Sequence, residues 1–266
     1  MAEGGKILAE VMSQTLKKAV SGMTTRELDA FADDLIVKSG GKASFKMVKG
    51  YKHATCMCVN EVVVHGIPGN YALKTGDILG IDCGVFYKGF HTDASWTILV
   101  HGSQISNLKS QNKNIRENPL EIRENPKDRF LRIGKEALEA AISAAHVGNY
   151  VWDISAAIQD VIEKKGGYHS VHSLTGHGVG RSLHEDPFIP CFREGEREKS
   201  AQLENGMTLA IEVIYGQKTG KVWYLSDDGW TIGTRDGSWA GLYEQTIAIV
   251  GGKARMLTSI AKEQAF

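Results

Sequence analysis

The 266-residue sequence has few cysteines and prolines, no excess of either charge and no long apolar run. Its four cysteines are irregularly spaced in a long chain, which argues against the disulfide framework of small secreted domains. Lys plus Arg and Asp plus Glu both number 31, so the basic excess typical of nucleic-acid and membrane binding is missing. The apolar runs are far shorter than the ~18 residues of a membrane helix, and the N-terminal residues show no signal peptide. These absences predict a cytoplasmic protein with no specific nucleic-acid partner and no membrane partner.

What the sequence does contain is a repeated layout of two helices followed by strands. Apolar residues recur at helical spacing over residues 4–20, and Thr24–Glu27 has the pattern of a capping box that begins a second helix. That helix is expected to end at Gly40–Gly41. A helical pattern returns over residues 128–147, and a further one ends at Gly166–Gly167.

The repeat continues into the strands. Each copy has a glycine turn before an apolar strand with one acid, a second acid before another apolar strand, and a His-x-x-Pro element. The matching pairs are Gly76–Asp82 with Gly206–Glu212, Asp93 with Glu244, and His65–Pro68 with His184–Pro187. We expect an α+β fold with antiparallel sheet, in a single catalytic domain whose related halves span about 1–102 and 128–266. Chance similarity among common patterns is the alternative.

The segment between the halves, 103–127, is polar and contains the sequence IRENP twice. Pro119 and Pro126 argue against one continuous helix. We expect a surface loop or a partly ordered linker, either as a tolerated insertion or, alternatively, as a contact with the ribosome.

Acids within apolar strands indicate the chemistry. Asp82 and Glu212 have surroundings typical of a buried strand, where an ionised carboxylate must be paired, neutralised or bound to a cation. Neither strand supplies a Lys or Arg, and two such acids would repel each other unless a metal lay between them. Asp93 follows a hairpin turn at Tyr87–Gly89, and Glu244 adds a fourth acid.

A histidine in a glycine-rich stretch completes this set. His177 lies within Thr175–Gly180, where flanking glycines allow a ligand to approach closely. A phosphate-binding loop is the competing interpretation, but the stretch lacks Gly-Lys-Ser/Thr. Four carboxylates and one imidazole suit a pair of divalent first-row metals, whereas Cys56 and Cys58 lack the spacing of a thiolate zinc site.

These residues match a known family: over nearly its whole length the sequence resembles the type I (bacterial-type) methionine aminopeptidases of the pita-bread superfamily. NEVVVHGIP and DGWT are more specific than the five ligand positions, which the whole superfamily shares. The resemblance implies two pseudo-symmetric halves, an antiparallel curved sheet and helices on its outer face. The stretches that carry the resemblance are Asn60–Pro68, Gly80–Asp82, His91–Asp93, Thr175–Gly180, Leu183–Pro187, Ala210–Glu212, Asp228–Thr231 and Tyr243–Thr246.

The resemblance also implies a dinuclear site. Its metal ligands would be Asp82, Asp93, His177, Glu212 and Glu244. Asp93 and Glu244 would bridge two divalent ions, His177 and Glu212 would complete one site, and Asp82 the other. Cobalt, manganese, iron and zinc all suit these ligands, and a monovalent cation is a further cofactor that the resemblance allows.

The implied reaction is removal of the initiator methionine from nascent polypeptides by attack of a metal-bridged hydroxide. Glu212 would accept and shuttle the proton. His184 would stabilise the oxyanion, and His65 would assist departure of the amide nitrogen. A small second residue would be preferred, and the chain itself begins Met1-Ala2.

An apolar pocket would select methionine. The residues that fall at matching positions are Tyr51, Cys56, His65, Leu183, His184 and Trp230. Leu183 replaces a frequent Phe, and Leu174 and Cys191 also depart from common family residues, which leaves details of the pocket open.

Two other functions fit parts of this pattern. One is a Pro-specific metallo-exopeptidase of the same fold, although such enzymes carry an additional N-terminal domain. The other is a catalytically inactive binding module, although such proteins lose ligands and all five positions are filled here. The family also implies a monomer.

Overall fold

The computed structural model describes residues 1–102 and 124–260. Most of the polar segment predicted as a loop, residues 103–123, lies outside these ranges. Within these ranges the α-helices are α1 (Ala2–Lys18), α2 (Thr25–Lys38), α3 (Pro126–Ala144) and α4 (Val151–Gln159). The strands are β1 (Lys42–Ala43), β2 (Thr55–Val59), β3 (Val62–Val64), β4 (Ile78–Tyr87), β5 (Phe90–Leu99), β6 (His169–Ser170), β7 (Thr175–Gly178), β8 (Glu185–Pro190), β9 (Thr208–Gly216), β10 (Val222–Tyr224), β11 (Ile232–Thr234), β12 (Ala240–Val250) and β13 (Lys253–Met256).

The helix ends follow from local hydrogen bonding. Thr24 and Glu27 form the predicted capping box at the start of α2, with each side chain bonded to the other residue's backbone N–H. Helix α3 starts at Pro126 rather than at residue 128, because proline suits the first helical position and the Asn125 side chain caps the Lys127 N–H. It also ends at Ala144, three residues before the predicted end.

One long antiparallel sheet runs through the chain, as the α+β prediction requires. Its main order is β1-β4-β5-β12-β9-β7-β8, with β2 also paired to β4, β6 to β9 and β13 to β12. Strands from the first and second parts of the chain therefore meet where β5 pairs with β12. The predicted hairpin turn between β4 and β5 is present, and Lys88 and Gly89 both take positive φ there.

The helices cover one face of this sheet. Ile81, Cys83 and Val85 of β4 pack with buried residues of α1 and α2, among them Leu8 and Leu28. A second core packs α3 against β9 and β12, and α4 against α3 and β8. Since side chains alternate along a strand, the residues between these core positions, such as Asp82, point to the opposite face.

A separate small sheet lies beside this opposite face. It has three antiparallel strands in the order β10-β11-β3. Strand β3 leads directly into His65, and the connection from β10 to β11 contains Trp230. No helix in the described ranges is long and apolar enough to span a membrane.

Candidate active site

The strand register brings three of the predicted acids into a single row across the sheet. Glu212 of β9 lies directly opposite Glu244 of β12, and Glu244 lies opposite Ser95 of β5. Ser95 in turn lies opposite Asp82 of β4, which lies opposite Cys56 of β2. Directly paired residues share a face in an antiparallel sheet, so all five side chains are on the face away from the helices.

Asp93 and His177 lie next to this row. Asp93 is two residues before Ser95 on β5 and pairs with Gly84, so it is a diagonal neighbour of Asp82 on the same face. His177 pairs with Ala210, two residues before Glu212 on β9. Ligand atoms of Asp93, His177 and Glu244 all lie within 4.8 Å of one another, and the three residues are buried.

Burial of these acids together disfavours their charged forms. Burial raises the pKa of Asp82 from 3.8 to about 7. Burial also raises the pKa of Asp93, Glu212 and Glu244 well above the usual carboxyl values, and repulsion from neighbouring carboxylates of the group adds to the rise. Without a bound cation, ionisation of one of these four acids therefore makes ionisation of the others less favourable.

The hydrogen bonding of His177 leaves one ring nitrogen available as a ligand. Its Nδ1 is 2.8 Å from the Gly178 carbonyl, which can only accept, so Nδ1 carries the proton. Burial, followed by the nearby His184, lowers the pKa of His177 to about 4, so the ring is neutral at pH 7. The bare Nε2 lone pair then lies 3.4 Å from Glu212 Oε1, and the contact is not an ion pair.

Two further buried atoms favour a cation at this place. Within the ranges that the structure describes, Asp82 Oδ1 and Glu244 Oε1 have no hydrogen-bond partner. Unpaired buried oxygens cost free energy unless something satisfies them. Oxygen donors plus one imidazole nitrogen form a donor set for divalent first-row metals, so the residues present fit such ions.

A single cavity of about 140 Å³ joins the acids to an apolar wall. All eleven residues predicted for metal binding, catalysis and methionine recognition line it: Tyr51, Cys56, His65, Asp82, Asp93, His177, Leu183, His184, Glu212, Trp230 and Glu244.

Three lining residues were missed from sequence: Phe45, Val48 and Val64. Phe45 lies in a single 3₁₀ turn, and Val48 follows that turn. Neither residue belongs to a periodic apolar pattern from which the direction of its side chain could be predicted. Val64 could have been anticipated, because it directly precedes His65 in NEVVVHGIP.

The apolar wall is fixed by short-range contacts. The Tyr51 hydroxyl donates to the Thr55 carbonyl at 2.8 Å and lies 3.2 Å from Cys56 Sγ. The Tyr51 and Trp230 rings meet edge to face at 5.1 Å. Asp228 Oδ1 accepts hydrogen bonds from the Trp230 and Thr231 N–H groups, both at 2.8 Å, which holds the tryptophan in its turn. The DGWT sequence is therefore a structural clamp for Trp230.

The two remaining histidines face the cavity as neutral groups. Burial lowers the pKa of His65, with a smaller contribution from nearby His184, and burial also lowers the pKa of His184. The backbone of His65 is left-handed, with a φ of 56°. The His184 ring meets the His177 ring edge to face at 4.4 Å. Each neutral imidazole offers one N–H donor to a bound substrate.

The chain matches known proteins along almost its full length. Residues 1–250 match Metallopeptidase family M24. The methionine aminopeptidase of Clostridium perfringens is 39% identical over 260 residues, which cover 98% of this chain and 95% of that protein. Methionine aminopeptidase 1 of Bacillus subtilis is 35% identical over 260 residues, with 98% and 95% covered.

Solved structures agree with this similarity. The crystal structure of a methionine aminopeptidase from Thermotoga maritima superposes with a TM-score of 0.85 at 34% identity, over 97% of this chain and 95% of that one. Prolidase from Pyrococcus furiosus superposes with a TM-score of 0.70 at 21% identity and is covered over 63% of its length. The prolidase likeness concerns the fold alone, which is the pita-bread fold.

Proposed function

The chain belongs to metallopeptidase family M24, and we propose that its five cavity ligands hold two divalent ions with which it removes N-terminal methionine. The activity follows from its full-length similarity to methionine aminopeptidases, and the family implies a divalent metal. In this proposal Asp82, Asp93, His177, Glu212 and Glu244 would hold the ions. The observation that carries it is one cavity lined by both the acids and the apolar wall.

The substrate is positioned by the chain's own groups. The methionine side chain packs against Tyr51 and Trp230, with Leu183 and Phe45 also lining the pocket. These are apolar or polarizable surfaces that suit a thioether. A small second residue is preferred, and the substrates are the initiator-methionine ends of nascent polypeptides.

Bound divalent ions supply a Lewis acid and a water molecule of lowered pKa, which provides the nucleophile near neutral pH. Glu212 would accept the proton of the attacking water and pass it to the departing amine. His184 donates an N–H to the oxygen of the scissile carbonyl. His65 donates to the nitrogen that leaves.

The chain is proposed to act as a cytoplasmic monomer on free polypeptide ends. The even balance of charges and the four buried free cysteines support a reduced, soluble environment. A single domain is proposed, because strands from both parts of the chain form one sheet around the site.

The experiment that tests this function compares hydrolysis of Met-Ala-Ser and Ala-Pro-Ala by the purified protein with Mn(II) or Co(II). We expect free methionine from the first peptide and no cleavage of the second. A Glu212→Ala variant should lose the activity, because both a ligand and the proton acceptor are removed. Cleavage of the proline peptide alone would move the chain to the prolyl branch of the fold.

A further inference from the structure

The small sheet beside the active site has one open edge. Its strand order is β10-β11-β3, so within residues 1–102 and 124–260 nothing pairs with the outer side of β10. Native proteins commonly protect such edges with charged residues, proline or a bulge, or by keeping the strand very short, because an open edge pairs readily with another chain. Strand β10, Val222–Tyr224, is short, but it contains no charged residue or proline and pairs with β11 in a regular register.

The register shows which backbone groups of β10 are free. The Leu225 N–H bonds to the Thr231 carbonyl, and the Arg235 N–H bonds to the Lys221 carbonyl. Hydrogen-bonded and non-bonded pairs alternate in an antiparallel ladder, so Trp223 also directs its backbone groups toward β11. The N–H and C=O groups of Val222 and Tyr224 therefore point to the open edge.

The same edge is unusually apolar for a surface. Trp223, Tyr224 and Leu225 are exposed by 54%, 64% and 38%. Among the described residues they form the one run of three consecutive large hydrophobic side chains that is exposed. Apolar surface of this kind commonly marks an interaction site, and aromatic side chains are enriched at such sites.

The edge is linked to the active-site cavity through the turn that carries Trp230. Leu225, the residue after β10, donates a hydrogen bond to the Thr231 carbonyl. Thr231 directly follows Trp230, which lines the cavity wall. At roughly 3.3 Å per residue, the Tyr224 end of the strand lies within a few residues' length of the pocket. The opposite end, Val222, lies farther from it.

From these observations we propose that the open edge of β10 binds the substrate polypeptide downstream of the cleaved bond, as an added antiparallel strand. This inference rests on the proposed function, because its occupant is the same substrate. With its methionine beside Trp230, the substrate chain leaves the cavity from the Tyr224 end of β10 toward the Val222 end. It therefore runs opposite to β10, and the outward groups of Val222 and Tyr224 bond to its backbone.

Backbone recognition suits an enzyme that must act on many different proteins. Hydrogen bonds of an added strand do not depend on the side chains of the bound segment, while neighbouring aromatic rings add contact area. The cavity selects the first residues, and the edge contributes affinity for whatever sequence follows. A tripeptide is too short to use it.

The test compares Met-Ala-Ser with a longer peptide that begins with the same three residues and continues for about six more. The variant is Trp223→Ala combined with Tyr224→Ala, and a Val250→Ala variant is the control, because Val250 is 57% exposed at the far end of β12. For the longer peptide we expect the double variant to raise KM roughly five- to tenfold, because it removes the aromatic contact area beside the edge. The tripeptide should be cleaved as by the unmodified protein.

A second measurement uses the unmodified protein and therefore does not depend on how a variant folds. Two forms of the longer peptide are methylated beyond the third residue, one at the odd-numbered and one at the even-numbered backbone nitrogens. Only one of these two alternations should raise the KM, because only every second N–H of an added strand faces β10. Equal KM values for both alternations and the parent peptide would overturn the proposal. So would an equal effect of the double variant on both peptide lengths, or its conversion of a dimer to a monomer, which would assign the edge to a second copy. Absence of methionine release from Met-Ala-Ser by the unmodified protein would instead reject the proposed function itself.

Discussion

At the scale of single residues, the protonation of the histidines distinguishes their proposed roles. The unprotonated Nε2 of His177 faces Glu212, whereas the contact of the His184 ring with this site is its edge-to-face packing on the His177 ring. His177 is accordingly proposed as a ligand and His184 as a donor to the substrate. The two roles can be separated, because loss of a ligand changes metal binding and loss of a donor changes the rate.

We expect His184→Ala to lower kcat/KM for Met-Ala-Ser by about 10²–10⁴-fold, the usual contribution of a positioned proton donor or acceptor. Binding of Mn(II), measured by calorimetry, should remain within a factor of a few. His172→Ala is the matched control, because this exposed ring stacks on Phe192 and does not line the cavity. Loss of Mn(II) binding in the His184 variant would make His184 a ligand.

Some residues of the site could be predicted from the sequence and others could not, for physical reasons. Asp82 and Glu212 stand out because an acid within an apolar strand needs a partner, and that signal is local. Phe45 and Val48 have no such signal, since their direction depends on a 3₁₀ turn that tertiary packing sets. The pocket's polar side could therefore be predicted more fully than its apolar side.

At the scale of elements, packing of α3 against the sheet depends on one glycine. Gly134 lies in the helix interior, where alanine would ordinarily be preferred by about 1 kcal/mol. A methyl group there would overlap the Tyr215 hydroxyl and the ring of Tyr243. Both tyrosines are fully buried, so they have little room to move.

Gly134→Ala should therefore destabilise the protein by ~1–3 kcal/mol despite its favourable helix propensity, because overpacking outweighs propensity. Urea unfolding followed by circular dichroism measures this change. Glu139→Ala, at an exposed position of the same helix, should leave the unfolding midpoint nearly unchanged. A more stable Gly134 variant would show that α3 can shift away from the sheet.

Elements with strong local signals were predicted and those without them were not. The capping box of α2 and the turn between β4 and β5 are short-range features, and both were confirmed. The hairpin of β10 and β11 went unpredicted, because its exposed apolar residues do not alternate with polar ones. The π-helical turn Asp160–Lys165 was predicted as ordinary helix, since Val161 and Ile162 continue the apolar spacing.

At the scale of the whole molecule, the pairing of β5 with β12 creates the site. It places Asp93 and Glu244, about 150 residues apart in sequence, as diagonal neighbours at the centre of the sheet. The internal repeat suggested corresponding acids, but nothing in the sequence gives the register between the halves. A shift by one residue would turn the acids of one half into the helix-facing core.

The proximity of the four buried acids determines how the stability of the metal-free protein depends on pH. Their folded-state pKa values are raised, so above the ordinary carboxyl pKa the folded state binds more protons than the unfolded state, and stability falls as pH rises. The buried histidines have lowered pKa values and act in the opposite direction only below pH ~6.5. The carboxyl effect should dominate at this site between pH ~6.5 and ~8.

With a chelator present, the free energy of unfolding should fall by about 1 kcal/mol or more across that interval, since Asp82 alone titrates near pH 7. Asp82→Asn should reduce the fall, because the amide does not ionise and also removes repulsion from the other acids. Urea titrations at the two pH values measure both. An unchanged or steeper fall in the variant would contradict the assignment.

In the proposed function, the buried acids and the apolar pocket work together as a metal-dependent site for methionine removal. A titration of metal-free protein with Mn(II) tests this, with bound metal and methionine release from Met-Ala-Ser measured in the same samples. We expect two ions bound per chain, release that rises with bound metal, and loss of both binding and release in Glu244→Gln. Methionine release at full rate without metal, or two ions bound by the Glu244 variant with the affinity of the unmodified protein, would contradict it.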